Sequence, residues 1–473
     1  MGGLFGVVHA NDDQALTDLF FGTDYHSHLG TVRGGIAIKN SKDIKRVIHD
    51  ITSAQFRSKF QDDLEKLHGK KGIGVISDFD DQPLIIGSHL GVFAIATVGR
   101  INNLEKLAET AFADKTVHFS ELRGGEINPT EMVGSLICQG DTFQDGIARA
   151  QELIDGSCSI LILADSGIYA ARDKYGRTPL IIGKKFGGYA VTMETTAFPN
   201  LGYDIEKELG PGEIVHISEK GIEQLKEPGD QLQICSFLWV YYGYPASSYE
   251  GINVEVVRNR CGECLAKNDN TDIDLVAGIP DSGTGHGIGY ANVKNSGTQY
   301  ARPFVKYTPT WPRSFMPQNQ TVRNMVAKMK LIPIKDLIDG KRLLFCEDSI
   351  VRGTQLRDTI QRLYEAGAKE IHMRPACPPL VYGCKFLNFS RSKSEMDLAG
   401  RWAIRELVGK AKEKDVDLSK YTDPDSDEFK EMIEVIRKRL HLTSLKYQRL
   451  EHLIKAIGLP EEKLCTYCWN GKE

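Results

Sequence analysis

The sequence predicts a two-domain protein in which a β-rich first domain is followed by an α/β second domain. The chain has 473 residues, and at roughly 150 residues per domain this length allows about two to four domains. Hydrophobic residues make up 41% of the chain, which is enough apolar material for large buried cores. Near residue 230 the pattern changes from short apolar runs separated by glycines to strands that alternate with helices. We therefore expect one domain over residues 1–230 and a second over residues 231–473.

Several apolar runs in the first 230 residues are bounded by glycine and rich in β-branched residues, which is typical of strands. These runs are Gly72–Ile76, Gly91–Val98, Ser159–Ala164 and Tyr189–Met193. Helices are predicted over Asp43–Leu67 and Gly146–Ile154. The segment Leu209–Glu227, which contains Gly-Pro-Gly and a charged stretch, is expected to end this domain.

The second half of the chain alternates between the two element types. Strands are predicted over Leu275–Ile279, Lys341–Phe345 and Glu370–Arg374, and helices over Asn259–Lys267, Thr321–Met329 and Thr354–Ala366. Strand, helix and strand in that order predict right-handed crossovers and a parallel sheet. From Arg401 to Ile457 the chain is charged and predicted to be helical, with an interruption at residues 423–425.

The charge and hydropathy of the chain exclude some classes of function. With 59 basic and 63 acidic residues the formal net charge is -4, so the sequence has no electrostatic footprint for bulk nucleic-acid binding. No uninterrupted apolar run approaches the length of about 18 residues that spans a membrane. The start of the chain lacks the basic and apolar regions of a signal peptide, and we expect a cytoplasmic protein.

The most informative stretch of the sequence is a strand, a loop and a helix over residues 342–366. An apolar strand ends in Glu347 and Asp348, and a loop that contains Gly353 then opens a helix. The start of a helix offers unpaired N–H groups and a positive dipole to a phosphate, and glycine lets the backbone approach an anion closely. Carboxylates at the carboxyl end of a parallel strand can reach ribose hydroxyls or Mg²⁺. The alternative interpretation is a capped helix after a core strand; the residues fit neither the Rossmann nor the P-loop spacing.

This stretch resembles the signature of type I phosphoribosyltransferases, which bind phosphoribosyl pyrophosphate (PRPP). The wider sequence resembles the glutamine PRPP amidotransferase (amidophosphoribosyltransferase) family, and the matching blocks follow the family's order over nearly the whole chain. In the second domain they include residues 278–283, 313–318, 340–341, 348–354, 365–370 and 377–379. In the first domain they are residues 171–173 with Gly176 and 179–180, 193–197 and 211–213. The resemblance implies an α+β N-terminal-nucleophile (αββα) glutaminase-type domain followed by an α/β type I phosphoribosyltransferase domain.

The resemblance also implies a site for PRPP and magnesium. Ser282, Glu347 and Asp348 fall on the family's metal and ribose contacts, although family members usually have two aspartates where this chain has Glu347 and Asp348. The 5-phosphate of PRPP would be bound by Ser349, Ile350, Val351, Arg352, Gly353 and Thr354. The implied reaction is the attack of ammonia on C1 of the ribose, with magnesium pyrophosphate as the leaving group.

One segment departs from the family pattern in the second domain. The family's closing loop, a Lys-Asn-Arg-Tyr-like run, here reads Lys306-Tyr-Thr-Pro-Thr-Trp-Pro312, without the arginine and with two prolines that stiffen it. Because closure over the substrate often sets affinity and turnover, we expect slow or differently controlled turnover.

The ten cysteines offer several alternatives. The pair Cys465 and Cys468 has the spacing of a metal or cluster ligand pair, but a redox role or coincidence would explain it as well. A zinc site shared with Cys261 and Cys264 is possible on spacing alone. Some members of the resembled family carry a [4Fe–4S] cluster, and the resemblance implies a different set of ligands: Cys235, Cys384, Cys465 and Cys468.

The resemblance implies that the glutaminase site of the first domain has lost its chemistry. The family uses an N-terminal cysteine as the nucleophile, and this chain has Gly2 there. The arginine that binds the substrate carboxylate is replaced by Ser77, and the asparagine of the oxyanion hole by Val98. The acidic residue that binds the glutamine amine is replaced by Pro129. We therefore predict no glutaminase activity.

Three functions are compatible with this sequence. The first is an amidophosphoribosyltransferase-like enzyme of purine biosynthesis that uses ammonia, either free or from a partner glutaminase, because its own nucleophile is missing. The second is a non-catalytic protein that senses PRPP or nucleotides and works with an active paralogue. The third is a PRPP transferase with another amine acceptor. The resemblance also implies a homodimer or homotetramer and possible nucleotide effectors.

Overall fold

The computed structural model describes residues 2–113, 118–123, 125–267, 269–294, 298–306, 331–387, 395–410 and 416–473. Three expectations lie outside these ranges: the helix over Thr321–Met329, the matching block at residues 313–318, and the closing segment after Lys306. Within the described part of the chain, no helix is both long enough and apolar enough to span a membrane.

The first part of the chain is built mainly of strands, in agreement with the sequence pattern. Its strands are β1 (Gly3–His9), β2 (Arg33–Lys39), β3 (Ile44–Asp50), β4 (Lys71–Ser77), β5 (Leu84–Ser88), β6 (Gly91–Ile101), β7 (Leu122–Arg123), β8 (Glu126–Ile127), β9 (Gly156–Leu163), β10 (Ile168–Ala171), β11 (Ile181–Lys185), β12 (Gly188–Thr192), β13 (Asp204–Glu208), β14 (Ile214–Ser218) and β15 (Gly221–Lys226). Its helices are α1 (Asp12–Asp24), α2 (Phe56–Phe60), α3 (Leu104–Ala113), α4 (Pro129–Ile137), α5 (Phe143–Leu153) and α6 (Phe198–Leu201).

These strands form two large antiparallel sheets. Seven strands pair in the order β13-β11-β12-β1-β4-β2-β3, and six pair in the order β15-β14-β10-β9-β6-β5. Strands β1, β2 and β4 of the first sheet pack on strands of the second, while α1 covers the first sheet and α4 and α5 cover the second. The result is the four-layer αββα arrangement that the resemblance implies.

One element of this part was predicted wrongly. The helix expected over Asp43–Leu67 is replaced by β3, the short helix α2 and a 3-10 turn over Gln61–Lys66. β3 is an edge strand that pairs with β2 from Ile44 to Asp50. Its exposed positions carry charged residues, so the composition of the segment resembles a solvated helix, but pairing with β2 satisfies its backbone better. The helix expected over Gly146–Ile154 is confirmed as part of α5.

The second part of the chain contains the predicted parallel sheet. Its strands are β16 (Ile234–Cys235), β17 (Ser248–Tyr249), β18 (Ile252–Asn253), β19 (Leu275–Gly278), β20 (Gln299–Tyr300), β21 (Phe304–Lys306), β22 (Leu331–Pro333), β23 (Arg342–Glu347), β24 (Glu370–Pro375), β25 (Ser444–Leu445) and β26 (Leu464–Cys465). Five of them pair in the order β20-β19-β23-β24-β25, and every neighbouring pair is parallel.

Helices flank both faces of this parallel sheet. They are α7 (Val254–Lys267), α8 (Gly283–Val293), α9 (Lys335–Ile338), α10 (Thr354–Glu365), α11 (Ala399–Val408), α12 (Asp427–Arg439), α13 (Leu450–Ile457) and α14 (Tyr467–Asn470). The stretch predicted to be charged and helical is divided into α11, α12 and α13, and Asp425 at its predicted interruption forms an ion pair with Arg449.

The end of the chain packs against the start of the second part. β16 and β26 pair in parallel, which places Cys235 beside Cys465. One buried core continues from β1 through residues 234–240 to Leu464 and Trp469, so the C-terminal segment is part of the main hydrophobic core.

Candidate active site

The strand–loop–helix over residues 342–365 lies at the centre of the parallel sheet. β23 has β19 on one side and β24 on the other, and Glu347 is its last residue. Gly353, immediately before α10, has φ +76°, and a Cβ there would lie 3.1 Å from the Leu440 side chain. The loop therefore needs glycine at this turn.

The two carboxylates at the end of β23 share a hydrogen-bond network with two hydroxyl groups. Asp348 accepts a hydrogen bond from Ser282 Oγ at 2.6 Å on one oxygen and from Ser349 Oγ at 2.6 Å on the other. Glu347 Oε1 accepts the backbone N–H of Asp348 at 3.1 Å. Ser282 precedes α8, which follows β19. The ends of two adjacent parallel strands thus bring together Ser282, Glu347 and Asp348, the three residues expected at the metal.

The electrostatics of this network favour a cation. Burial and the charge of Asp348 both raise the pKa of Glu347 well above its usual value. A divalent cation between the two carboxylates would remove this repulsion, and oxygen donors are the ligands that Mg²⁺ prefers. The donor set therefore fits magnesium with substrate oxygens or water in its remaining positions.

The rest of the loop is anchored by contacts of Ile350, Val351 and Arg352 with the surrounding protein. Ile350 is buried in the core, and the Val351 carbonyl accepts the N–H of Ala399 at 2.7 Å. Arg352 forms an exposed ion pair with Asp397 at 3.5 Å. Among the described residues no carbonyl accepts the amide of Arg352 or of Gly353, so these N–H groups are available to an anion.

The four positions expected at a glutaminase site also lie close to one another along the first part's sheets. Gly2 precedes β1, Ser77 ends β4, Val98 lies in β6 and Pro129 begins α4. β1 pairs with β4 so that Gly3 is opposite Ile76, which sets Gly2 beside the end of β4. The start of α4 is tied to β6 by a hydrogen bond of 2.7 Å between the hydroxyls of Thr130 and Thr97.

None of these four positions carries a thiol, guanidinium, amide or carboxylate side chain. A Cβ added to Gly2 would lie 2.6 Å from the carbonyl oxygen of Ile76 and 3.1 Å from Cγ2 of Val98, so a side chain does not fit without rearrangement. Ser77 Oγ instead accepts the backbone N–H groups of Phe79 and Asp80, both at 3.2 Å. It acts as a local turn cap and carries no positive charge for a substrate carboxylate.

Sequence reasoning missed a buried carboxylate near this site. Glu194 accepts hydrogen bonds from Ser247 Oγ at 2.6 Å and Tyr249 Oη at 2.8 Å, and it contacts His28 Nε2 at 3.3 Å. Burial alone would raise the pKa of Glu194, but the charge of His28 and the hydrogen bonds from His28 and Ser247 lower it. Glu194 lies in a block that matches the family, yet nothing in the sequence showed that residues 28 and 247 would meet it.

The four cysteines chosen by resemblance gather where the chain ends. β16 and β26 place Cys235 beside Cys465, and the backbone carbonyl of Cys468 accepts the N–H of Val381, which brings residues 381–384 to the same place. Burial raises the pKa of Cys235 and of Cys465. A hydrogen bond from Cys468 lowers the pKa of Cys384 to about 7. The other three thiols are all close enough to raise the pKa of Cys468.

The remaining cysteines with described side chains do not extend this group. Cys261 lies in the core and Cys264 is half-buried on α7, so the alternative four-cysteine zinc site is not assembled. Within the described ranges, no three side chains of His, Cys, Asp or Glu come close enough together to bind a single metal ion.

Fold and site together define a class of protein: a glutaminase-type αββα domain joined to a type I phosphoribosyltransferase sheet. Comparison with known proteins agrees with this class. A curated amidophosphoribosyltransferase of Methanocaldococcus jannaschii is 28% identical over 497 aligned residues, which cover 100% of this chain and 97% of that protein. That of Mycobacterium tuberculosis is 27% identical over 99% of this chain and 85% of its own length. No model of a protein family matches the chain.

Solved structures give the same result. The glutamine PRPP amidotransferase of B. subtilis, in complex with ADP and GMP, superposes with a TM-score of 0.82 at 26% identity, covering 99% of this chain and 96% of that one. A structure described as the allosteric regulatory enzyme of purine biosynthesis has the same TM-score and identity. By sequence and by fold, the chain is similar to amidophosphoribosyltransferases over almost all of its residues.

Proposed function

We propose that this protein is an ammonia-dependent amidophosphoribosyltransferase that forms 5-phosphoribosylamine from PRPP in purine biosynthesis. The observation that carries the proposal is the contrast between two sites. At the end of β23, Ser282, Glu347 and Asp348 converge beside a loop in which no carbonyl of the described residues accepts the amides of Arg352 and Gly353. At the start of β1, Gly2 provides neither a nucleophile nor room for one.

The loop and the carboxylates divide the binding of PRPP between them. The amides before α10 and the dipole of that helix would bind the 5-phosphate. Glu347, Asp348 and Ser282 would hold Mg²⁺ and the ribose hydroxyls, and Mg²⁺ would neutralise the charge that develops on pyrophosphate. Ammonia attacks C1 of the ribose as the bond from C1 to the pyrophosphate oxygen breaks. The electron pair of that bond leaves with pyrophosphate, and the nitrogen then gives up a proton.

The nitrogen donor is ammonia because glutamine cannot be activated at the first-domain site. Removal of an oxyanion donor alone typically costs about 10²–10³ in rate. Here Val98 stands in place of that donor, and Gly2 and Ser77 stand in place of the nucleophile and the carboxylate-binding arginine. Ammonia from solution or from a partner glutaminase would therefore be the substrate. None of these residues is a cysteine whose lowered pKa could make it a nucleophile.

We further propose that Cys235, Cys384, Cys465 and Cys468 bind a [4Fe–4S] cluster. The four thiols come from three distant parts of the chain and are close enough to alter one another's pKa. The cluster would hold the C-terminal segment in place.

Iron analysis of protein purified without oxygen tests the cluster. We expect a brown protein with absorbance near about 400 nm, and loss of colour in Cys384→Ser. Cys264→Ser, which changes a half-buried cysteine outside the group, serves as the matched control and should keep its iron. A colourless, iron-free wild type would overturn the cluster.

Related enzymes suggest two further properties. We propose that this chain assembles as a homodimer or homotetramer and that nucleotides act as effectors, because the related B. subtilis structure is a complex with ADP and GMP. Sedimentation with and without these nucleotides would test both properties.

The transferase is tested by the release of pyrophosphate from Mg-PRPP with either ammonium chloride or glutamine as the nitrogen donor. We expect release with ammonium and none above the blank with glutamine. Release with glutamine would show a working glutaminase and overturn the ammonia dependence. Binding of PRPP without release from either donor would favour the PRPP-sensing alternative.

A further inference from the structure

Arg177 is a buried cation that has no carboxylate partner among the described residues. Arg177 is 3% exposed. Nη2 donates to Gln233 Oε1 at 2.8 Å, but Nε and Nη1 are buried and have no hydrogen-bond acceptor. Among the residues that the structure describes, no carboxylate lies within 4 Å of its guanidinium. Buried charges in proteins are normally paired, so Arg177 needs an anion.

A second buried arginine in the same segment, Arg172, shows which acceptors a buried guanidinium needs. Arg172 donates to the carbonyls of Thr178 and Gly176 at 2.8 and 2.7 Å and forms an ion pair with Glu250 at 2.8 Å. The segment can therefore provide acceptors for one guanidinium. The orphaned N–H groups of Arg177 are a specific feature of that side chain.

The position of Arg177 indicates what the missing anion is. Its backbone carbonyl accepts the N–H of Cys235 at 3.1 Å. Its guanidinium lies 3.6 Å from the ring centroid of Phe386, two residues after Cys384. Cys465 lies beside Cys235, because β16 pairs with β26. Arg177 thus contacts the segments that carry Cys235 and Cys384, and Cys465 is the neighbour of the first.

We propose that Arg177 compensates the negative charge of the [4Fe–4S] cluster and donates N–H groups to its sulfur atoms, which sets the reduction potential of the cluster. This inference rests on the cluster proposed above. A cluster on four thiolates carries net negative charge, and hydrogen bonds to its sulfurs and nearby cations favour its reduced form. The arginine belongs to the first domain by sequence, so it would also make cluster binding depend on the docking of the two domains.

The experiment is a titration of the anaerobic protein with dithionite, which donates the electron, followed by electron paramagnetic resonance of the reduced cluster. Wild type is compared with Arg177→Gln, Arg177→Lys and Arg100→Gln. Arg100 is the matched control, because it also contacts the cysteine group, by donating to the Cys384 carbonyl at 2.7 Å, but it is exposed to solvent. Iron content and circular dichroism are measured on each sample.

We expect Arg177→Gln to shift the midpoint potential to a more negative value. Arg177→Lys, which keeps the charge, should shift it less, and Arg100→Gln should leave it close to wild type, because water screens its charge. A folded Arg177→Gln protein that loses iron while Arg177→Lys keeps it would also support the proposal.

Two results would overturn the inference in distinguishable ways. An iron-free wild type would remove the cluster and with it the role of Arg177. An iron-loaded wild type whose potential is unchanged in Arg177→Gln, or equal iron loss in Arg177→Gln and Arg177→Lys, would leave the cluster standing and reject the role of the arginine's charge.

Discussion

The two candidate sites of this chain differ in what lies at the ends of their strands. At the end of β23, Asp348 accepts a hydrogen bond from the Ser282 hydroxyl at 2.6 Å, and Glu347 accepts the backbone N–H of Asp348 at 3.1 Å. A metal or a ribose could replace these contacts. At the start of β1, a Cβ on Gly2 would meet the Ile76 carbonyl and Val98, and at the end of β4, Ser77 caps its own turn.

The scaffolds around these two sites are equally complete. The seven- and six-stranded sheets of the first part are fully paired, as is the five-stranded parallel sheet of the second. Under the proposed function, fold and chemistry separate in this molecule: a sandwich can keep its core while the few side chains that carry a reaction change. In the proposed function the first part serves as a structural partner of the second. Arg100 and Asn102 connect the two parts by donating hydrogen bonds to the carbonyls of Cys384 and Lys385.

Asp348→Asn is predicted to have the largest effect. It removes one of the two carboxylates proposed to hold Mg²⁺, and we expect ammonium-supported pyrophosphate release to fall by at least about 100-fold. Asp358→Asn makes the same chemical change on an exposed face of α10 and should stay within about twofold of wild type. Equal activity in the two variants would show that the carboxylate has no role at the metal.

Gly2→Cys restores the cysteine that the family uses as its nucleophile, but it does not restore the other residues of the glutaminase site. The new Cβ would lie 2.6 Å from the Ile76 carbonyl, so we expect a loss of about 1–3 kcal/mol in the free energy of unfolding and no release of glutamate from glutamine. Gly87→Ala, whose Cβ would meet nothing within 4 Å, should change the free energy of unfolding by less than about 0.5 kcal/mol. Urea denaturation measures both. Glutamate release by Gly2→Cys would break the comparison between the two sites.

Ser282→Ala sharpens the comparison at the transferase site. Its hydroxyl donates to Asp348 at 2.6 Å, and a hydrogen bond to a charged group is worth about 1.5–3 kcal/mol. We expect about a tenfold fall in pyrophosphate release and a rise in the Mg²⁺ concentration that gives half the maximal rate. An unchanged magnesium dependence would place Ser282 outside the metal site.

The smallest expected effect is on the pH dependence of the free energy of unfolding, and it comes from a buried histidine near the transferase site. Burial lowers the pKa of His286 from 6.5 to about 3, so this imidazole stays neutral in the folded protein while the unfolded chain takes up a proton. The free energy of unfolding should therefore fall as the pH drops below about 6.5, by about 1 kcal/mol per pH unit from this group. Urea unfolding at several pH values from 7.5 to 5 should show a shallower fall in His286→Gln. An equal slope in both proteins would contradict this.

The elements that follow from local sequence were predictable. β6, β9, β23 and β24 are buried apolar runs, and the loop before α10 is defined by neighbours in the chain. β3 was predicted to be helical because its half-exposed composition does not show the pairing with β2 that determines it. Local pattern therefore identifies an element when burial decides it and fails when a distant strand does.

The site residues divide in the same way. Glu347, Asp348 and the loop lie in one segment, and the sequence indicated them together. The contact of His28 with Glu194 joins positions 166 residues apart. The burial of the Arg177 guanidinium against Phe386, and the contact of its backbone with Cys235, are visible only in the folded structure. Such clusters depend on how the two domains pack, which no spacing in the sequence encodes.

The most direct test of the contrast between the two sites is one reaction that contains Mg-PRPP, ammonium chloride and glutamine together, in which pyrophosphate and glutamate are measured in the same sample. We expect pyrophosphate to accumulate while glutamate stays at the level of the protein-free blank. Glutamate that accumulates in step with pyrophosphate would contradict it, because the first-domain site would then still hydrolyse glutamine.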